Sequence, residues 1–167
     1  MEVIAAANSS AKAFFALVNH PIKFRLFLLK KLPAAYFAGL RAEEINEENA
    51  IISVPFKWFT KNPFRSTYFA CLSMAAEMST GILALANIYK SKPRVSMLIV
   101  SMEGKFNKKA ITKTKFVCKD GLLIKNAVQN SITTSQSQMV TATSIGYNNN
   151  NEVIAEFLFT WSFKAKS

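Results

Sequence analysis

Between Ser66 and Tyr89 the chain runs for 24 residues, STYFACLSMAAEMSTGILALANIY, with one formal charge, Glu77. Its length and apolarity predict a helix of about 36 Å at 1.5 Å per residue. Wound at about 100° per residue, Ser66, Ser73, Glu77, Thr80 and Asn87 share one narrow arc. Phe69, Leu72, Met74, Met78, Ile82, Leu83, Leu85 and Ile88 take most of the remaining circumference, so the helix must be enclosed on nearly every side. Asn62-Pro63 and Ser66 offer N-terminal caps, Lys90 and Lys92 suit the negative end of the dipole, and Pro93 stops the helix.

Three surroundings could enclose such a helix. A bilayer matches its length, but a mid-span carboxylate, several hydroxyls and the β-patterned chain that follows argue against a span. The same strand patterns contradict a helical bundle. A curved antiparallel sheet wrapped around the helix accounts for both observations and predicts an α+β fold.

At 167 residues the chain suits one domain, with an N-terminal helical segment at 1–32 and a core at 33–167. No basic n-region precedes Ala13-Phe14-Phe15, so a cytoplasmic protein is expected. Cys71 in the apolar helix and Cys118 on a strand read as two free buried thiols. The formal charge of +11 comes from scattered bases, with small clusters at Lys30-Lys31, Lys105-Lys108-Lys109 and Lys113-Lys115. They lack the aromatic interleaving of an RNA-binding strand and any helix-turn-helix signature, so they read as solvated faces and not as a nucleic-acid site.

Residues 1–10 look frayed. From Ala11 to Leu32 the pattern predicts a helix pair broken at Asn19-His20-Pro21, the second helix burying Ile22, Leu26, Phe27 and Leu29 and leaving Lys23, Arg25, Lys30 and Lys31 wet. A basic amphipathic helix of this kind can lie on a membrane; covering the open end of the sheet is the more ordinary role, and membrane contact is not expected. Tyr36–Ile45 and Ala50–Phe56 form a hairpin across residues 46–49, and an aromatic-rich loop, 57–65, leads into the long helix. Val95–Met102 is a nearly continuous apolar run, as for a strand buried on both faces or at a subunit contact. Thr112–Cys118 alternates, Leu122–Ile132 is a short amphipathic helix, and Gln136–Tyr147 is a strand. After an asparagine turn, residues 153–163 put Val153, Ala155, Phe157, Phe159, Trp161 and Phe163 on one side, an aromatic stripe suited to gripping the helix.

One histidine and two isolated cysteines leave no metal-ligand cluster and no nucleophile triad, and no glycine-rich phosphate loop exists. Neither metal nor cofactor is expected.

The order of hairpin, long buried helix and four further antiparallel strands is similar to the hotdog fold. Asn62-Pro63-Phe64, then Ser66–Gly81 with Ala75-Ala76-Glu77-Met78, then the closing FLFTWSF of residues 157–163 resemble the domain of unknown function 4442, a branch of the phenylacetate-pathway-type thioesterases. The resemblance implies a homodimer or tetramer that binds acyl-CoA or another acyl thioester at the subunit boundary. It also implies an Asn before a His-Gly-Gly turn at the helix start and an acid further along. Asn62 and Glu77 match the first and last of these, whereas Thr67-Tyr68-Phe69 stands where the His-Gly-Gly turn belongs.

Thioester hydrolysis needs a base or nucleophile and donors for the oxyanion. Glu77 is the candidate for the first. The amides near Ser66, Thr67 and Tyr68, at the positive end of the dipole, are candidates for the second. Burial should raise the Glu77 pKa, and hydrogen bonds from Ser73 or Thr80 would lower it. Arg65, with Lys61 and Lys92, could meet coenzyme A phosphates. Thr67 and Glu77 are separated by about 15 Å of helix, so a site using both ends must combine two protomers across a two-fold axis. Two non-catalytic readings stand beside this one: an acyl-chain or acyl-CoA binding module, or a polar seam of Ser73, Glu77 and Thr80 that only fixes helix register.

Overall fold

A computed structural model describes residues 2–166, with side chains from Ser10 onward. The elements run α1 (Glu2–Val18), α2 (Pro21–Lys31), α3 (Pro33–Ala38), β1 (Arg41–Ile45), β2 (Ala50–Val54), a 3₁₀ turn (Trp58–Thr60), α4 (Phe69–Ile88), β3 (Val95–Phe106), β4 (Thr114–Cys118), α5 (Gly121–Thr134), β5 (Gln138–Tyr147) and β6 (Val153–Ala165). Six antiparallel strands form one sheet in the order β1-β2-β4-β5-β6-β3.

The long helix is the core. Ala75, Ala76, Ile82, Leu83 and Ala84 are at most 2% exposed, and α4 packs on β2, β4 and β5 with α1 and α5 against its other sides. It is the one helix among the described residues long and apolar enough to cross a membrane, and 67% of its apolar window is buried inside the protein. The stripe on β6 grips it as the alternation requires: Ala155, Phe157, Phe159, Trp161 and Phe163 are buried, and Val153 is half-buried. Enclosure is incomplete along one arc, where Ala70, Ser73, Met74, Glu77, Leu85 and Ile88 are each only half-buried.

Several expectations need correction. Of residues 1–10, expected to be frayed, Met1 lies outside the described residues and 2–10 are the first turns of α1. Tyr36 opens no strand: Pro33 sits at the start of α3, and Gly39 ends it with φ +82°, its amide bonded to the carbonyls of Ala35 and Tyr36. This is the proline-start, glycine-stop pattern of a short helix, so β1 begins only at Arg41. The hairpin turn is where the sequence put it, closed by Asn46 Oδ1, which accepts the amides of Glu48 at 2.9 Å and Asn49 at 2.8 Å. On α2 the buried residues are Phe24 and Leu28, while Ile22, Leu26 and Leu29 face outward. Ile22 and Leu26 flank Phe24 in the chain, and a rotation of the helix decides which side meets the protein.

Strand β3 bonds to β6 alone and forms a free edge. It is therefore not buried on both faces. Its residues Met102, Gly104 and Phe106 pair with Phe159, Phe157 and Ala155, which places them on the concave face that carries the helix. Yet Met102 and Phe106 are about half exposed, 51% and 50%, because the sheet extends beyond the reach of its own α4.

Candidate functional site on the central helix

Glu77 lies in the middle of the incompletely covered arc of α4. Its carboxylate folds back over Gly81: an ideal Cβ on that glycine would meet Glu77 Oε1 at 2.8 Å and the Trp161 ring at 3.4 Å. A glycine here leaves room for the acid to lie against helix and indole together. Trp161 belongs to β6 and pairs with Ile99 on the free edge strand, so the carboxylate sits one strand from that edge.

Its electrostatics follow from its neighbours. Ser73 Oγ donates to the Phe69 carbonyl at 3.0 Å, and Thr80 Oγ1 donates to the Glu77 carbonyl, also at 3.0 Å. Thr80 Oγ1 in turn accepts the Trp161 indole N–H at 3.0 Å. Both hydroxyls expected to stabilise a charged Glu77 are thus committed to backbone, and Thr80 is fully buried. With burial unopposed, the Glu77 pKa rises from 4.5 to about 7. A carboxyl balanced between its two protonation states near neutrality suits proton transfer.

The start of α4 differs from the expectation. Ser66, Thr67 and Tyr68 precede the helix, and their amides are all bonded: Ser66 N to Asn62 Oδ1 at 3.1 Å, Thr67 N to the Ala110 carbonyl at 2.7 Å, Tyr68 N to the Thr60 carbonyl at 2.7 Å. Tyr68 is the N-cap and offers no side-chain cap. The amides of Phe69 and Ala70, at the first turn of the helix proper, have no hydrogen-bond partner among the described residues. Asn62 is turned to its own loop: its Oδ1 accepts from Phe64 N and Ser66 N, and its Nδ2 donates to Ser66 Oγ. Thr67 Oγ1 donates to the Ala110 carbonyl at 3.1 Å. Arg65 is exposed, with φ +59°.

The structure therefore places Glu77, Ser73 and Thr80 on neighbouring turns, and Asn62, Arg65, Ser66, Thr67 and Tyr68 in a separate loop at the helix start. From Phe69 to Glu77 is about 12 Å along the axis, so the free amides of one protomer do not reach its own acid. Both thiols are free and buried, and burial pushes Cys118 up to about 12 and raises Cys71 as well. No group of three metal-ligating side chains occurs among the described residues.

The sequence reading missed a cleft of about 620 Å³ at the other end of α4, lined by Lys90, Lys92, Arg94 and Lys166 with Ile88 and Val95. The bases of the segment 90–94 were its visible signal; Lys166 joins them because β6 runs beside β3, its amide bonding the Arg94 carbonyl at 2.7 Å.

No protein-family model and no curated protein matches the chain. Solved structures do. A Pseudomonas aeruginosa protein of unknown function, described as a probable thioesterase, superposes with a TM-score of 0.70 at 19% identity, over 87% of this chain and 97% of that one. A Chlorobaculum tepidum protein of unknown function gives 0.73 at 14% identity, over 90% and 99%. A Haemophilus influenzae thioesterase gives 0.60 at 14% identity, over 84% and 88%. A curved six-stranded antiparallel sheet around one long helix, with these likenesses over nearly the whole chain, is the hotdog fold.

Proposed function

We propose that this protein hydrolyses an acyl thioester, acyl-CoA being the candidate, at a site built between two copies of the chain. The observation that carries the reading is Glu77: a solitary carboxyl on the incompletely covered arc of the core helix, without a side-chain hydrogen-bond partner among the described residues, poised near pH 7 beside the indole of Trp161. The uncovered concave face of β3, with Met102 and Phe106 half exposed, supports a second copy docking at this edge. Two antiparallel α4 helices then bring the free Phe69 and Ala70 amides of one protomer toward Glu77 of the other. Ionised Glu77 takes a proton from water as the water oxygen bonds to the thioester carbonyl carbon. Helix-start amides hold the oxyanion. When the C–S bond breaks, that proton passes to the departing thiolate, giving acid and thiol. The basic cleft of Lys90, Lys92, Arg94 and Lys166 suits the phosphates of a coenzyme A carrier.

Turnover of a panel of acyl-CoA chain lengths, by wild type and Glu77→Gln, tests this reading. Hydrolysis lost in Glu77→Gln with binding retained is the expected outcome; equal hydrolysis by both sinks it. Met102→Asp should yield monomers by sedimentation and lose activity in step.

A second reading has its own observation. Asn62 and the amides of Ser66, Thr67 and Tyr68 are engaged within the fold, which favours an acyl-CoA binding protein without catalysis. Saturable binding with no turnover by wild type selects it.

A further inference from the structure

Helix α2 is apolar on two opposite sides. Phe24 and Leu28 fill the core, yet Ile22 is 66% and Leu26 60% exposed, with Leu29 beside them. At 100° per residue these three form one outward stripe, with Lys30 and Lys23 along one border and Arg25 along the other. A surface helix of a globular protein normally turns polar residues outward.

The stripe continues into its neighbours. Arg25 stacks on the Tyr36 ring at 3.8 Å and donates to the Tyr36 carbonyl, tying α2 to α3. Lys57 Nζ donates to the Phe37 carbonyl, tying α3 to the 3₁₀ turn. Phe37 of α3 is exposed, as are Trp58 of the turn, at 87%, and Phe64 of the loop that follows it, at 75%. Segments 21–38 and 55–69 hold seven Lys and Arg residues and no Asp or Glu. None of the seven forms an ion pair with a described residue.

We propose that this face, α2 with α3 and the 58–65 loop, docks on the surface of an anionic lipid bilayer. Exposed aliphatic and aromatic side chains ringed by cations match the acyl boundary and the charged headgroups together. Charge selects this occupant over a second copy, since a symmetric contact would press these basic segments, which hold no Asp or Glu, against each other. Ile22, Leu26 and Leu29 are aliphatic and suit acyl chains, whereas a nucleic acid would use only the aromatic residues Phe37, Trp58 and Phe64. The proposal stands independently of thioester hydrolysis.

The test is co-sedimentation of the full chain with phosphatidylcholine vesicles and with vesicles containing phosphatidylserine. Wild type should bind the anionic vesicles about tenfold or more tightly, and added salt should weaken that binding. Ile22→Ser with Leu26→Ser keeps the charge and should lower affinity about tenfold, and Lys57→Gln should lower it about fivefold. Both changes lie on exposed side chains, and circular dichroism verifies folding. Trp58 fluorescence should be quenched by brominated lipid, with the quenching abolished in Trp58→Phe, while buried Trp161 is spared. No binding by wild type overturns the proposal. So does binding that ignores the Ile22/Leu26 change, or tighter binding to an RNA oligonucleotide or acidic polypeptide than to the vesicles.

Discussion

Replacing Glu77 by glutamine should make the protein more stable, and by an amount that depends on pH. The Glu77 carboxyl has its pKa raised from 4.5 to about 7 by burial, with no compensating donor. Below pH 4.5 it is protonated in the folded and unfolded chains alike, and wild type carries no penalty there. Between pH 4.5 and about 7 the unfolded chain gives up the proton and the folded one keeps it, so wild type loses stability as pH rises. Above about 7 the carboxyl is ionised in both states and the loss levels off. At about 1.4 kcal/mol per pH unit the whole effect has a ceiling of about 3.5 kcal/mol, lowered by the partial exposure of the side chain. Glutamine keeps the shape and does not titrate.

Urea unfolding of both proteins, followed by circular dichroism at fixed protein concentration from about pH 4.5 to about 8, gives the difference directly. Subtraction cancels Glu43 and Glu152, whose pKa values are lowered and which act at the acid end of the range. The stability advantage of the Glu77→Gln variant should grow steadily to about pH 7 and then hold constant. A difference that is flat with pH, or one that shrinks as pH rises, refutes the account of the acid as unpartnered and buried.

Three further substitutions probe the same neighbourhood and its supports. Gly81→Ala puts a methyl 2.8 Å from Glu77 Oε1. The carboxylate is flexible and should yield, so stability should rise by about 0.5–1 kcal/mol while thioester turnover, measured on the same preparation, falls about tenfold. Thr80→Val removes the acceptor of the buried Trp161 N–H and should cost about 1–3 kcal/mol in chemical denaturation, with Thr80→Ser restoring most of it. Gly121→Ala would drive a Cβ to 2.2 Å from the backbone oxygen of Glu47; a loss of about 3 kcal/mol or a failure to fold is expected, read by thermal unfolding.

The sequence alone determined what hydrophobic period can determine. A stretch of 24 residues with one charge pointed to a core helix, and the alternating aromatics of residues 153–163 to the strand that grips it. Together they made the hotdog order legible, and Glu77 stood out as the single acid in the apolar stretch. Local signals failed where two readings shared one pattern. Pro33 and Gly39 bracketed a short helix that passed for the start of a strand, and α2 carried apolar residues on both sides, so its composition did not say which side turns inward. Tertiary contacts decided the rest. The helix starts at Phe69 and not at Ser66 because Thr67 bonds to Ala110, 43 residues away, and Tyr68 to Thr60. Glu77 titrates near neutrality because the fold buries it, with its Oε1 and the ring of Trp161, 84 residues further along the chain, packed around the same glycine, Gly81. Desolvation and hydrogen-bond partnership depend on which distant groups are brought together in space, and no spacing along a chain encodes them.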